Sequence, residues 1–172
     1  MNLREYVREI PDFPTPGILF RDITPLLLDA KALDAAVISL AALIPGEHVD
    51  FVVAAEARGF ILGAALAREL EAGFVPARKP GKLPGETISA EYALEYGLDA
   101  LEVHADALAG GAQVLIHDDL LATGGTAGAL CDLVTTLGGV VVGCAFLVEL
   151  SELGGRSRLE PYPVHAVIDF PA

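Results

Sequence analysis

Two adjacent carboxylates, Asp118 and Asp119, close an apolar run, Val114-Leu-Ile-His117, and a turn of small and hydroxyl residues, Ala122-Thr-Gly-Gly-Thr126, follows them. These types at this spacing point to one ligand chemistry. A turn that leads into a helix with free N–H groups holds a tetrahedral phosphate. Thr123 and Thr126 add hydroxyls, while Gly124 and Gly125 let the backbone come close. Carboxylates repel phosphate, so the acidic pair must serve neighbouring hydroxyls or a metal, and burying it is costly without such a partner. A phosphorylated sugar carries both features. The turn is neither a Walker A loop nor Gly-x-Gly-x-x-Gly.

Charge narrows the partners. Against 24 Asp and Glu the chain has 11 Lys and Arg, for a net charge of −13 over 172 residues. Nucleic-acid binding rests on a basic surface, so no nucleic acid is expected. The few cations are instead concentrated: Arg21, Arg58, Arg78, Lys79 and Lys82 fall in loop-like stretches, as a polyanion site on an acidic protein requires. The four histidines show no zinc-ligand spacing, and Cys131 and Cys144 read as small buried hydrophobes. Hydrophobic residues make up 53% of the chain, which suggests a buried subunit interface. No run approaches the roughly 18–20 apolar residues of a membrane span, and the N-terminus has no signal core. A cytoplasmic protein without a membrane partner is expected.

The elements that must position these groups follow from periodicity. Residues 2–9 read as a short helix stopped by Pro11. Residues 11–25 hold four prolines and read as an ordered extended segment, with Phe13, Ile18, Leu19, Phe20 and Ile23 seeking burial. Helical spacing covers 30–44, 59–70, 124–137 and 151–159. Buried strands are expected at 50–55, 74–78, from Val114 into the acidic pair, at 140–148 and at 164–169. Residues 79–86 form a turn-rich loop, and 87–104 a hairpin around Tyr96-Gly97. Strand–helix alternation with apolar strands means an α/β fold, a mostly parallel sheet with helices on both faces. The whole of 1–172 reads as one domain, with 1–28 and 79–104 as appendages.

The apolar run, acidic pair and Ala-Thr-Gly-Gly-Thr turn resemble the ribose-phosphate signature of the type I phosphoribosyltransferases. Further segments are similar, in the same order, to the adenine-specific branch of that family: Phe13-Pro-Thr-Pro-Gly17, Phe20-Arg-Asp-Ile-Thr-Pro25, Glu56-Ala-Arg-Gly-Phe60, Arg78-Lys-Pro-Gly-Lys-Leu-Pro84, Leu94-Glu-Tyr-Gly97 and Leu147-Val-Glu-Leu150. The resemblance spans nearly the whole chain. It implies the type I phosphoribosyltransferase fold, with an N-terminal purine-binding segment and a flexible hairpin lid. It implies transfer of phosphoribose from phosphoribosyl pyrophosphate to adenine in purine salvage, with Mg²⁺ carried in on the pyrophosphate rather than bound directly by the chain, and a homodimer.

The same resemblance assigns roles. Asp118 and Asp119 would face the ribose hydroxyls and stabilise positive charge developing on the sugar. Ala122, Thr123, Gly124, Gly125 and Thr126 would hold the 5′-phosphate. Arg58 would lie on the pyrophosphate loop, with a non-proline cis peptide expected at Glu56–Ala57. Arg78, Lys79 and Lys82 would neutralise the leaving pyrophosphate. Phe20 would stack on adenine, and backbone groups of Leu19 and Arg21 would read its 6-amino edge. Leu150 matches a position near the base, or only packs. Glu95, with Tyr96 beside it, is the candidate for acid/base work at the base, since a carboxylate in a water-poor site can exchange the ring proton. Little covalent work is left to the protein, and the rest is positioning and electrostatics.

One residue departs from the pattern. His117 stands where the family usually has an apolar side chain, and either couples to the acidic pair or simply hydrogen-bonds away from the core. Two other functions remain open at this point. One is an oxopurine or xanthine transferase, which the purine-binding segments argue against. The other is a non-catalytic phosphoribosyl pyrophosphate sensor, for which the charge leaves no DNA-binding face.

Overall fold

The computed structural model describes residues 1–93 and 97–171. Five parallel strands make the central sheet, in the order β4-β3-β7-β8-β9: β3 (Phe51–Ala55), β4 (Gly73–Ala77), β7 (Gln113–Leu121), β8 (Val140–Leu150) and β9 (Val164–Phe170). Each is an apolar run because both faces of the sheet are covered. On one face α1 (Thr24–Leu28), α2 (Ala30–Ala42) and α3 (Arg58–Glu69) pack Leu26, Leu40, Leu62 and Leu66 against Val52, Leu115 and Leu147. On the other, α4 (Gly125–Thr136) sets Leu130 and Leu133 against Val53, Ile116 and Phe146. The expected doubly covered parallel sheet is therefore present.

Two antiparallel pairs stand outside the sheet. β1 (Arg8–Pro11) pairs with β2 (Leu19–Asp22), and β5 (Thr87–Ala93) with β6 (Leu98–His104). The second is the expected hairpin, and it is anchored by Tyr92, Leu101 and Val103 in the α4-side core. Among the described residues no helix is long and apolar enough to cross a membrane.

Three local expectations are corrected. Residues 2–9 are not one helix: a single 3-10 turn at Leu3–Tyr6 gives way to β1, where Arg8 pairs with Asp22 and Glu9 with Arg21. These long-range ion pairs override local helical preference. Of the five apolar residues of the proline-rich segment expected to seek burial, Phe13, Ile18 and Leu19 are 42–50% exposed, and only Ile23 is fully buried. Residues 151–159 split into a 3-10 turn and the four-residue α5 (Gly155–Arg158), because Gly154 takes a left-handed conformation at φ 71° between them. Helix α1 was not expected; Pro25 in its first turn needs no N–H partner there.

Candidate active site

Strand β7 carries the acidic pair into the molecule and runs on to Leu121. Strict alternation would put Ile116 and Leu121 on opposite faces, yet both pack in the α4-side core. The alternation slips between them, and both carboxylates line one hollow of about 210 Å³. Its wall also includes Arg58, Tyr92 and the whole turn Ala122 to Thr126.

The turn is built from main chain. Gly124 caps α4 in a left-handed conformation (φ 83°) with no side-chain hydrogen bond to the first N–H groups. A Cβ there would stand 2.8 Å from Gly155 O, and a Cβ on Gly155 would stand 2.5 Å from Ala122 O. Only glycines allow this contact. The first N–H groups of α4 thus have no side-chain cap, as a bound anion requires.

Arg58 begins α3, directly after a cis Glu56–Ala57 peptide. Its Nε lies 3.1 Å from Asp119 Oδ2 as an ion pair without hydrogen-bond alignment. Its guanidinium carbon sits 5.0 Å from the centre of the Phe20 ring. Asp118 Oδ1 accepts the Asp119 backbone N–H at 2.9 Å. Burial raises the Asp118 carboxyl well above the usual range, and the charge of Asp119 adds to that. Asp119 is also raised by burial, against the opposing pull of Arg58. The pair therefore resists carrying two charges until something donates to it.

The cations divide into two groups. Lys79 lines a second hollow of about 180 Å³ together with Glu56, Arg58, Asp118 and Asp119. Its backbone N–H donates to Glu56 Oε1 at 2.7 Å, and its ammonium pairs with Asp99 and donates to Tyr92 Oη at 3.5 Å. Burial pulls the Lys79 pKa down, but the bonds to Asp99 and Tyr92 outweigh it and the net shift is upward. Arg78 turns to Glu56 instead, Nε to Oε1 at 3.2 Å, and Lys82 is exposed; neither lines these two hollows.

On β2, Phe20 meets Phe13 edge to face at 5.1 Å, and Leu19 is exposed. The Arg21 side chain points the other way, buried against Glu9 and over the Phe170 ring, which leaves only its backbone on the Phe20 side. Leu150, at the end of β8, packs on the core that covers the α2 and α3 face. Glu95 and Tyr96 lie outside the described residues.

His117 is fully buried on the α3 side, with Nδ1 donating to Ala145 O at 2.8 Å and Nε2 without a partner. Burial lowers its pKa to about 4, against the opposing hydrogen bond. The imidazole is neutral and ties β7 to β8.

Sequence reasoning missed Tyr92, Asp99 and Glu56 as site-building groups. A partial signal existed for two of them: the expected 87–104 hairpin places Tyr92 and Asp99 on facing strands, although a turn centred on Tyr96-Gly97 would have set Tyr92 opposite Leu101, and the register pairs it with Asp99 instead.

A family model, the phosphoribosyl transferase domain, matches residues 26–169. The adenine phosphoribosyltransferase of Brachyspira hyodysenteriae is 54% identical over 170 residues, 99% of this chain and 100% of that protein. The chain belongs to the adenine phosphoribosyltransferases. Its fold agrees with that of the adenine phosphoribosyltransferase from Thermoanaerobacter pseudethanolicus at a TM-score of 0.96, with 54% identity and 98% of each chain covered. The Saccharomyces cerevisiae adenine phosphoribosyltransferase, solved with an imino-altritol bisphosphate and adenine, gives a TM-score of 0.91, 39% identity and 96% coverage of each chain. A type I phosphoribosyltransferase fold thus carries the acidic pair and the glycine-built turn of this adenine phosphoribosyltransferase family member.

Proposed function

We propose that the chain transfers the 5-phosphoribosyl group of phosphoribosyl pyrophosphate to N9 of adenine, giving AMP and pyrophosphate, in the hollow between α3, β7 and α4. The observation that carries this reading is one shared wall. The unsatisfied N-terminus of α4, the acidic pair and Arg58 line a single hollow, and Phe20 lies against the outer side of Arg58.

Each group then has a task. The turn Ala122 to Thr126 grips the 5′-phosphate by its N–H groups and hydroxyls. Asp118 and Asp119 accept from the ribose hydroxyls and oppose positive charge on C1′ as the pyrophosphate leaves. Arg58 and Lys79 face that leaving group from the same side, and Arg78 and Lys82 add charge at its rim. Phe20 supplies a stacking face for the purine, and the backbone of Leu19 and Arg21 offers polar groups for the 6-amino edge. A site made to pair an amino group rejects an oxo group strongly. Glu95 serves the ring proton. Little is left to covalent catalysis.

Mg²⁺, brought in on the pyrophosphate, would neutralise part of that group's charge. Among the described residues no three His, Cys, Asp or Glu side chains cluster to hold an ion alone. Asp119 Oδ2, buried without a hydrogen bond, suits a sugar hydroxyl, so these residues fit a metal delivered on the substrate. We infer a homodimer from the apolar composition and from exposed Leu28, Ile38 and Ile61.

The deciding experiment incubates the protein with phosphoribosyl pyrophosphate, Mg²⁺ and each purine base in turn. AMP from adenine, with no nucleotide from hypoxanthine or xanthine, is the expected result. Turnover of an oxopurine, or tight phosphoribosyl pyrophosphate binding without any turnover, overturns it.

A further inference from the structure

The phosphate turn has only main-chain donors and hydroxyls on its own segment, and two carboxylates precede it. Arg58 is the only cation lining the hollow among the described residues, and it is already paired with Asp119. A dianionic phosphate placed there lacks a counter-charge of its own. The structure provides one from outside the turn.

The contact between Gly124 and Gly155 brings α5 against the back of the turn, closer than any side chain would permit. Arg158 is the last residue of α5. Its Cβ lies 3.3 Å from where a Cβ on Gly124 would stand, and its Nη1 lies 3.8 Å from where a Cβ on Gly125 would stand. Gly125 is the first residue of α4, so the guanidinium borders the helix end that receives the phosphate. It lines a hollow of about 180 Å³ with Tyr92, Gly125, Gly128, Glu91 and Asp132. Despite those two acids, Arg158 forms no ion pair and no side-chain hydrogen bond among the described residues. Arg156, on the same short helix, is fully engaged by Glu149 and Val164 O. One arginine of α5 therefore holds the fold together, and the other is left with its charge at the phosphate turn.

We propose that Arg158 is a phosphate-positioning residue: its guanidinium supplies, from behind the Gly124–Gly125 turn, the positive charge that the 5′-phosphate subsite otherwise lacks. It acts through the field at the helix end rather than by replacing the main-chain donors. A lysine at this position would therefore serve nearly as well as arginine, and a neutral side chain would not. The proposal rests on the reading of Ala122 to Thr126 as the 5′-phosphate subsite.

Calorimetry on the whole protein separates the possibilities. AMP, ribose 5-phosphate, adenine and pyrophosphate are titrated into wild type, Arg158→Gln and Arg158→Lys, with thermal melts to confirm folding. Arg158 is exposed, so neither change should unfold the chain. The expected result is weaker binding of AMP and ribose 5-phosphate by Arg158→Gln, about two- to fivefold, as for one exposed charge contact. Adenine and pyrophosphate should bind unchanged. Arg158→Lys should recover most of the loss, and added salt should shrink the difference. Equal AMP binding by wild type and Arg158→Gln overturns the proposal, as does an equal loss for all four ligands. A fall in turnover with intact AMP binding also overturns it, and would assign Arg158 to the neighbouring hairpin. Failure of the wild type to bind AMP at all would instead overturn the functional reading itself.

Discussion

Arg58 lies over Phe20, with its guanidinium carbon 5.0 Å from the ring centre, and so covers a face of the one aromatic ring assigned to the purine. Its Nε meanwhile stands 3.1 Å from Asp119. One side chain thus spans from Phe20, proposed as the base platform, to Asp119 of the acidic pair. On the proposed function, a pyrophosphate that recruited Arg58 would release both partners together. Arg58→Ala is expected to bind adenine alone two- to fivefold more tightly than wild type, because an exposed cation–π contact of about 0.5–1 kcal/mol no longer competes. The same variant should lose phosphoribosyl pyrophosphate affinity. Separate calorimetric titrations with the two substrates check both, and unchanged or weaker adenine binding would refute the competition.

The acidic pair sets function against stability. Both carboxyls have folded-state pKa values raised above the ordinary 3.8. Their stabilising contribution is therefore present below that value and is lost as pH rises through the folded pKa. At neutral pH the ligand-free protein holds this pair at a cost. Asp118→Asn and Asp119→Asn should each melt higher than wild type at pH 7.5, while kcat/KM for phosphoribosyl pyrophosphate falls by about 100-fold, a typical loss for one transition-state electrostatic group. Calorimetric melts and steady-state kinetics on the same preparations test the trade.

His117 predicts an opposite slope. Its folded pKa is about 4 against 6.5 for a free imidazole. The unfolded chain takes up a proton that the folded chain refuses, so stability is full above about pH 6.5 and declines as pH falls toward 4. The loss approaches about 3 kcal/mol at the acid end. His117→Val should flatten this decline, measured as the midpoint of urea unfolding between pH 7 and pH 5. An unchanged slope would mean that His117 is not the titrating group.

Asp99 is expected to act by holding Lys79. Its carboxylate takes both the lysine ammonium and Tyr92 Oη, the latter at 3.1 Å, and the Lys79 bond is the main cause of its lowered pKa. Asp99→Asn should raise KM for phosphoribosyl pyrophosphate about fivefold, the size of one charge-assisted contact, with kcat changed less than twofold. Asp99→Glu should recover part of the loss. A drop confined to kcat would argue against this role.

Much of the sheet was legible because parallel strands buried on both faces must be apolar runs, as in Phe51–Ala55 and Val114–Ile116. The acidic pair and the Thr-Gly-Gly-Thr turn were legible because few other settings place those types together. What stayed hidden depends on distant partners. Arg8 and Glu9 look like helix surface, but they pair with Asp22 and Arg21 and extend the chain into a strand. Phe13, Ile18 and Leu19 look like core, yet the chain itself does not cover them. Arg158 looks like one more surface cation, and only the Gly124–Gly155 contact brings it to the turn. His117 read as a departure, and its burial against Ala145 O explains how a polar side chain is accommodated in β7.

The Gly124–Gly155 contact also bears on how this enzyme family could change. On the proposed function the sugar-phosphate end is shaped by Gly124 and Gly155, where any side chain would collide, so mutation at those two positions finds almost no tolerated alternatives. On that function the base end rests instead on the Phe20 side chain and on the backbone of Leu19 and Arg21, which lie on β2, outside the glycine contact. New base selectivity is therefore free to evolve while the grip on ribose 5-phosphate stays constant, and an engineer seeking another purine should diversify β1 and β2 and leave Arg58, at the start of α3, in place.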